Sequence, residues 1–141
     1  MKRTASAHWA GDLKSGAGSL TTASHTLNKT AYSFAARFEE GQGTNPEELL
    51  AAAHAGCFTM ALSAQLGLAG LKADSLDTVC TISLDKTDGG FSITESHLEL
   101  KAKVPGATKE AFDTAVKAAE TGCPVSKLYK TAITVNAVLE G

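Results

Sequence analysis

The sequence predicts an α+β fold: a β-rich N-terminus, a long buried central helix and an antiparallel sheet. Three observations predict it. Residues 1–40 hold short strand-like runs broken by glycines. Residues 49–71 carry no formal charge and follow a strong helix-start signal. After them, an alternating apolar–polar stretch, a helical pattern and a closing strand complete the chain. The 141 residues, 43% of them hydrophobic, are enough for one domain, 1–141, with its own core.

In chain order, residues 3–10 read as a strand ending at the Gly11-Asp12 turn, and Gly16 and Gly18 mark a second turn. Residues 20–27 and 31–38 are further strand candidates. Asn45 then reads as a helix N-cap, Pro46 as its first residue, and Glu48 falls where its carboxylate can reach back in a capping box. The helix runs to residues 67–70. Gly41-Gln42-Gly43, just ahead of it, has the backbone freedom of a loop that moves. In residues 75–85, Leu76, Thr78, Cys80, Ile82 and Leu84 share one face of a strand. Asp88-Gly89-Gly90 is a hairpin turn. Residues 91–104 form the partner strand, with Glu95, His97, Glu99, Lys101 and Lys103 on a solvated face. Thr108 caps a second helix with Phe112, Ala115, Val116 and Ala119 at helical spacing, ended by Gly122. A short helix starts at Pro124, and residues 131–139 are the last strand.

Composition narrows the function. A net charge of -2 gives no electrostatic case for nucleic acid or an anionic membrane. Residues 49–71 are long enough to span a bilayer, but His54, Thr59, Ser63 and Gln65 interrupt them and much of the rest is alanine and glycine. A helix buried on nearly all sides is the better reading, and a domain this small needs a second subunit to cover it. Three cysteines far apart are not a secreted disulfide framework, and TASAHWAG after Lys2-Arg3 is not a secretory apolar run. A reducing cytoplasm is the expected compartment, where a cysteine pair serves catalysis or sensing.

The cysteines carry the chemistry. Cys123 lies between Gly122 and Pro124, so it reads as the N-cap of the short helix, near the positive end of a helix dipole that favours a thiolate. Cys57 sits in the body of the long helix, where both a reactive thiol and a small buried residue are open readings. Cys80 lies on the apolar face of a strand and reads as core. Metal binding is a weaker reading. There is no CxxC, and only His54 and Cys57, with Cys123 as a third ligand, could group. A Cys–His hydrolase with His54 as base is weaker still, since nothing marks an oxyanion hole or an orienting carboxylate. His54 reads as a helix-packing histidine.

The run YSFAARFEEGQGTNPEELLAAAHAGCFTMAL closely resembles the OsmC branch of the OsmC/Ohr family of hydroperoxide-reducing proteins, and HWAGDLKSGAGSL and TGCPVSK extend the resemblance over essentially the whole chain. The resemblance implies the OsmC-like fold, an intertwined homodimer without metal or flavin, and thiol-dependent reduction of organic hydroperoxides and hydrogen peroxide in stress defence. A dithiol, such as one of the lipoyl type, would be the reductant. It implies Cys57 as the peroxidatic cysteine, Cys123 as the resolving one and Glu47 as the active-site glutamate. The arginine maps to Arg37, just before the helix as in the OsmC branch; the Ohr branch places it nearer the N-terminus, where Arg3 is the candidate. A guanidinium near Cys57 would stabilise the thiolate and the developing alkoxide, with Glu47 orienting it through a bidentate pair. Phe58, Met60 and Leu62 beside Cys57 suit an organic peroxide tail, and equally a core.

Ten residues on one helix place Glu47 about 15 Å along the axis from Cys57. Two such helices packed antiparallel near residue 52 across a dimer axis would bring Glu47 of one subunit to Cys57 of the other. The expected site is therefore composite, two per dimer. The alternative from another class is a non-catalytic redox-sensing or ligand-binding dimer using the same cysteine pair.

Overall fold

A computed structural model describes residues 1–141. It contains six strands and four helices: β1 (Ala5–Ala10), β2 (Ala17–Thr22), β3 (Thr30–Tyr32), α1 (Phe34–Phe38), α2 (Pro46–Leu68), β4 (Ser75–Thr87), β5 (Gly90–Lys103), α3 (Lys109–Gly122), α4 (Pro124–Leu128) and β6 (Ala132–Glu140). The chain divides into two compact units, Met1–Leu49 and Leu50–Gly141.

The first unit holds an antiparallel sheet in the order β1-β2-β3. Gly18 belongs to β2 rather than to a turn. It lies opposite both Trp9 and Tyr32, whose rings meet 5.4 Å apart, and a Cβ there would lie 2.4 Å from Tyr32 and 2.6 Å from Trp9. The strand expected over residues 31–38 ends at Tyr32 and gives way to α1. The Ser33 hydroxyl caps α1 by accepting the Ala36 N–H at 3.1 Å, and Phe34 and Phe38 stack one turn apart with centroids 4.9 Å apart. Local side-chain chemistry, a cap and an i,i+4 aromatic pair, outweighs the strand propensity of the aromatics.

Asn45 starts α2 as expected: its Oδ1 accepts the Glu48 N–H at 2.8 Å, while its Nδ2 donates to the Ala36 carbonyl at 3.1 Å. The Glu48 carboxylate accepts the Thr44 hydroxyl at 2.7 Å. Gly43, at φ +105°, packs against Ala31, whose carbonyl oxygen would lie 2.2 Å from an added Cβ. Close approach is thus a reason for that glycine besides loop freedom.

The second unit packs α2 and α3 on one face of a three-stranded sheet. Phe58, Leu62, Leu66, Leu98, Leu100, Ala102, Val104, Phe112, Ala115, Val116, Ala119 and Cys123 form one buried cluster. The β4–β5 hairpin is antiparallel, with a register shift at Ser83/Leu84. The sheet is not antiparallel throughout, however, because β6 joins β5 in parallel through the α3–α4 crossover. Ser96, Leu98, Leu100 and Ala102 point into the core, and Glu99, Lys101 and Lys103 point outward, as the alternation predicts.

The expected burial of the central helix on nearly all sides counts on a second subunit, and one chain covers only part of it. Within one chain, α2 buries a single row, His54, Phe58, Leu62 and Leu66, each one turn from the next. Met60 and Leu68 are exposed. By length and mean hydropathy (1.4) α2 could cross a bilayer, yet its buried row is packed inside a protein core.

Candidate active site

Two elements deliver the thiols. α2 carries Cys57 on the flank of its buried row. The α3–α4 junction carries Cys123, which closes α3 through an N–H bond to Ala119 and opens α4 ahead of Pro124. The two thiols are close enough in the second unit for each to shift the other's pKa, and both are free rather than disulfide-linked. Cys57 is half-buried and Cys123 is fully buried.

Their environments differ. Burial, then the neighbouring Cys123 thiol, pushes the Cys57 thiol above its ordinary value. Burial also acts to raise Cys123. There it is outweighed by the nearby Cys57 thiol, the Ser126 N–H and hydroxyl, and the Val125 N–H, whose dipoles lower the Cys123 pKa. The Cys123 sulfur makes no regular capping bond. Its stabilisation comes from this looser cage of donors. Of the two coupled thiols, Cys123 is the one whose ionised form is favoured.

His54 is three residues before Cys57, but its ring engages two serines. Nδ1 lies 2.5 Å from Ser96 Oγ and Nε2 lies 2.9 Å from Ser126 Oγ. Burial lowers its pKa and keeps the ring neutral. Its reading as a helix-packing histidine is therefore incomplete, because it is also wired to the residue beside Cys123. Cys80 packs against the core, as its strand face predicts, with its thiol 3.3 Å from Ser96 Oγ and its pKa raised by burial. No group of three or more metal-ligating side chains gathers in the chain.

In the first unit, Arg37 and Glu47 form an ion pair. Arg37 Nε and Nη2 both donate to Glu47 Oε1, at 3.0 and 2.9 Å. This corrects the expected two-oxygen fork: Oε2 is buried with no partner. The Arg37 guanidinium also lies over the Phe38 ring at 5.1 Å. Arg3 instead donates to the Lys2 carbonyl. The four candidate catalytic residues are thus gathered as two pairs, Arg37–Glu47 and Cys57–Cys123, one in each unit.

The expected substrate contacts need correction. Phe58 and Leu62 have no exposed surface and belong to the core, so they cannot touch a peroxide tail; Met60 lies on the open side of α2, 77% exposed. A cavity of about 350 Å³ lies in the second unit, lined by Leu50, Ile82, Ile93, Leu128, Tyr129, Lys130 and Thr131. Tyr129 ties it to the thiols. Its ring stands edge-on to His54 at 5.1 Å, and its pKa is raised by burial and then by its closeness to Cys80, Cys123 and Cys57. Sequence reasoning missed Ser96 and Ser126. Each had a faint signal: Ser96 is the polar break among the inward residues of β5, and Ser126 stands in the first turn of α4, three residues after Cys123.

Known proteins resemble this chain in sequence and in fold. The model of the family described as OsmC-like protein matches residues 39–138. Peroxiredoxin OsmC of Escherichia coli (strain K12) is 50% identical over 130 residues, 92% of this chain and 91% of that protein. The organic hydroperoxide resistance protein of Xanthomonas axonopodis pv. citri (strain 306) is 36% identical over 102 residues, 70% of this chain and 68% of that protein. The crystal structure of the organic hydroperoxide resistance protein OhrB of Bacillus subtilis superposes with a TM-score of 0.68 at 28% identity, covering 97% of this chain and 98% of that one. An OsmC-like protein from Mycoplasma pneumoniae shares the fold, with a TM-score of 0.77 at 17% identity over 100% and 99% of the two chains. The chain belongs to the OsmC-like protein family.

Proposed function

We propose that the protein is a thiol-dependent peroxidase that reduces organic hydroperoxides, and hydrogen peroxide, through Cys57 and Cys123. The observation that carries this reading is the closeness of two free thiols, near enough to shift each other's pKa. Two neighbouring thiols, one more accessible than the other, are suited to form a disulfide after one of them is oxidised. The names of the relatives point to the same chemistry.

Cys57 is the more accessible of the two and is the sulfur that meets peroxide. Its thiolate attacks one peroxide oxygen; the S–O bond forms, the O–O bond breaks and the alkoxide leaves, taking a proton to become the alcohol. Cys123 then attacks the Cys57 sulfenic acid. The S–S bond forms and the hydroxyl departs as water with the Cys123 proton. A dithiol of the lipoyl type returns the disulfide to two thiols by exchange. The apolar cavity beside Tyr129 replaces Phe58 and Leu62 as the place for an alkyl tail.

Arg37, held by Glu47, is the group that stabilises the Cys57 thiolate and the leaving alkoxide. α2 is one uninterrupted helix, so the pair is supplied by the second subunit of a homodimer whose α2 helices pack antiparallel. The open, small-residue side of α2 supports that packing. A reducing cytoplasm suits three free cysteines.

One equivalent of cumene hydroperoxide, followed by a thiol count, tests the reading. Loss of two thiols with Cys80 still alkylatable is expected, and sustained turnover with dihydrolipoamide separates an enzyme from a redox sensor. Three thiols remaining after peroxide would reject the assignment.

A further inference from the structure

The first unit holds a cavity of its own, of about 290 Å³, that the reaction as drawn leaves unused. Its walls are aromatic: Trp9, Tyr32, Phe34 and Phe38 line it together with Ser33 and Arg37, all within Met1–Leu49. The cavity beside Tyr129 differs in kind, since Leu50, Ile82, Ile93 and Leu128 give it mostly aliphatic walls.

The rings are held in place before any ligand arrives. Gly18 lies opposite both Trp9 and Tyr32, and only its missing side chain lets their rings meet at 5.4 Å. The Trp9 indole N–H is engaged by the Gly11 carbonyl at 3.1 Å, so its one polar atom is satisfied. Phe34 and Phe38 pair one turn apart on α1, whose start is set by the Ser33 cap. Arg37 belongs to the same helix. Its guanidinium lies 5.1 Å over Phe38 and is tied to Glu47. A third ring entering such a wall has little left to order, which favours binding.

The polar groups in this lining have protons to give. Arg37 spends Nε and Nη2 on Glu47, and Nη1 makes no hydrogen bond within the chain. The Ser33 oxygen accepts the Ala36 N–H, which leaves its own proton to donate. Donors in an aromatic pocket fit a ligand made of a ring with an oxygen acceptor beside it. At about 290 Å³ the cavity is at the small end of ligand pockets, which span about 300–1,000 Å³, so it suits a single ring.

We propose that this pocket binds the ring of an aryl hydroperoxide, with the Arg37 guanidinium meeting the peroxide oxygens. The proposal rests on the reading that Arg37 stabilises the leaving alkoxide, and it names the substrate class. Trp9, Tyr32, Phe34 and Phe38 favour a ring over a saturated group, because ring edges and faces attract one another beyond the area they bury. Alkyl tails are left to the aliphatic cavity beside Tyr129. The product alcohol keeps the ring and one oxygen, so it is a ligand for the same pocket that cannot react.

Trp9 is the only tryptophan in the chain, so its fluorescence reports on this pocket. Reduced wild-type protein titrated with cumyl alcohol, the product of cumene hydroperoxide, is expected to show a saturable fluorescence change. tert-Butanol lacks the ring and is expected to show none over the same range. No saturable change with cumyl alcohol, or an equal one with tert-butanol, overturns the proposal. No peroxide is present, so this result stands or falls separately from the peroxidase assignment. Turnover supplies the second measurement. In Phe34→Ala the ratio of kcat/KM for cumene hydroperoxide over tert-butyl hydroperoxide is expected to fall by about tenfold, and Phe34→Tyr is expected to restore it. A merely structural loss lowers both substrates together, so a ratio unmoved in Phe34→Ala rejects the pocket as the aryl site.

Discussion

Cys57 and Cys123, far apart in sequence, are neighbouring free thiols that shift each other's pKa, one half-buried in a helix and one sealed at a helix junction. This division of exposure orders the chemistry. Cys57→Ser is expected to abolish peroxide consumption. Cys123→Ser is expected to allow a single turnover, after which the Cys57 sulfenic acid, lacking its partner, is oxidised further. Intact-mass analysis after one and after ten equivalents of peroxide checks both. Normal multiple turnover in Cys123→Ser with a dithiol would show that closure on Cys123 is dispensable.

Arg37 gives two hydrogen bonds to one oxygen of Glu47. Lysine keeps the charge but not the paired geometry. Arg37→Lys and Glu47→Gln are expected to lower kcat/KM by about a hundredfold, the scale of losing an aligned stabiliser of developing charge. Stability should move by only about 1 kcal/mol, because Arg37 is 41% exposed. Steady-state peroxide consumption and urea unfolding on the same variants separate the two effects.

The buried row of α2 predicts a sharp contrast along one helix. Leu62→Ala is expected to cost about 2–5 kcal/mol and Phe58→Ala about 3–5 kcal/mol, from lost burial and the cavity left behind. Met60→Ala should cost less than about 0.5 kcal/mol in chain stability, as a surface change. Urea unfolding measures all three; a large loss for Met60→Ala with wild-type values for the others would reverse the assignment of faces.

His54 also predicts a pH dependence. Burial lowers its pKa in the folded protein, so the unfolded chain takes up a proton first as the solution is acidified. Its effect on stability is absent above the unfolded value of about 6.5 and grows as the pH falls from there towards the lower native value. Stability should therefore decline on acidification through this window. His54→Gln should lose that component of the slope while keeping the rest of the acid transition, as read by urea midpoints at a series of pH values.

Much of the architecture is legible locally. Asn45-Pro46, Thr108 and Cys123-Pro124 mark helix starts because caps act within one turn. The β4 and β5 faces follow from strict alternation. α1 was not legible, since AYSFAARF is aromatic enough for a strand and only the Ser33 cap and the Phe34–Phe38 stack decide for helix. The parallel docking of β6 depends on its path after α3 and α4 and has no local signal.

By itself, then, the sequence determined where helices begin and which strand faces turn inward. The tertiary structure decided which side of α2 is buried, because apolar and small residues circle that helix and leave no periodic stripe to read. It also decided that Phe58 and Leu62 are core, that Arg37 holds Glu47 by one oxygen, and that Ser96, His54 and Ser126 converge behind Cys123. Those are contacts between residues distant in the chain, and only the packing of α2 and α4 against β5 brings their donors and acceptors within reach.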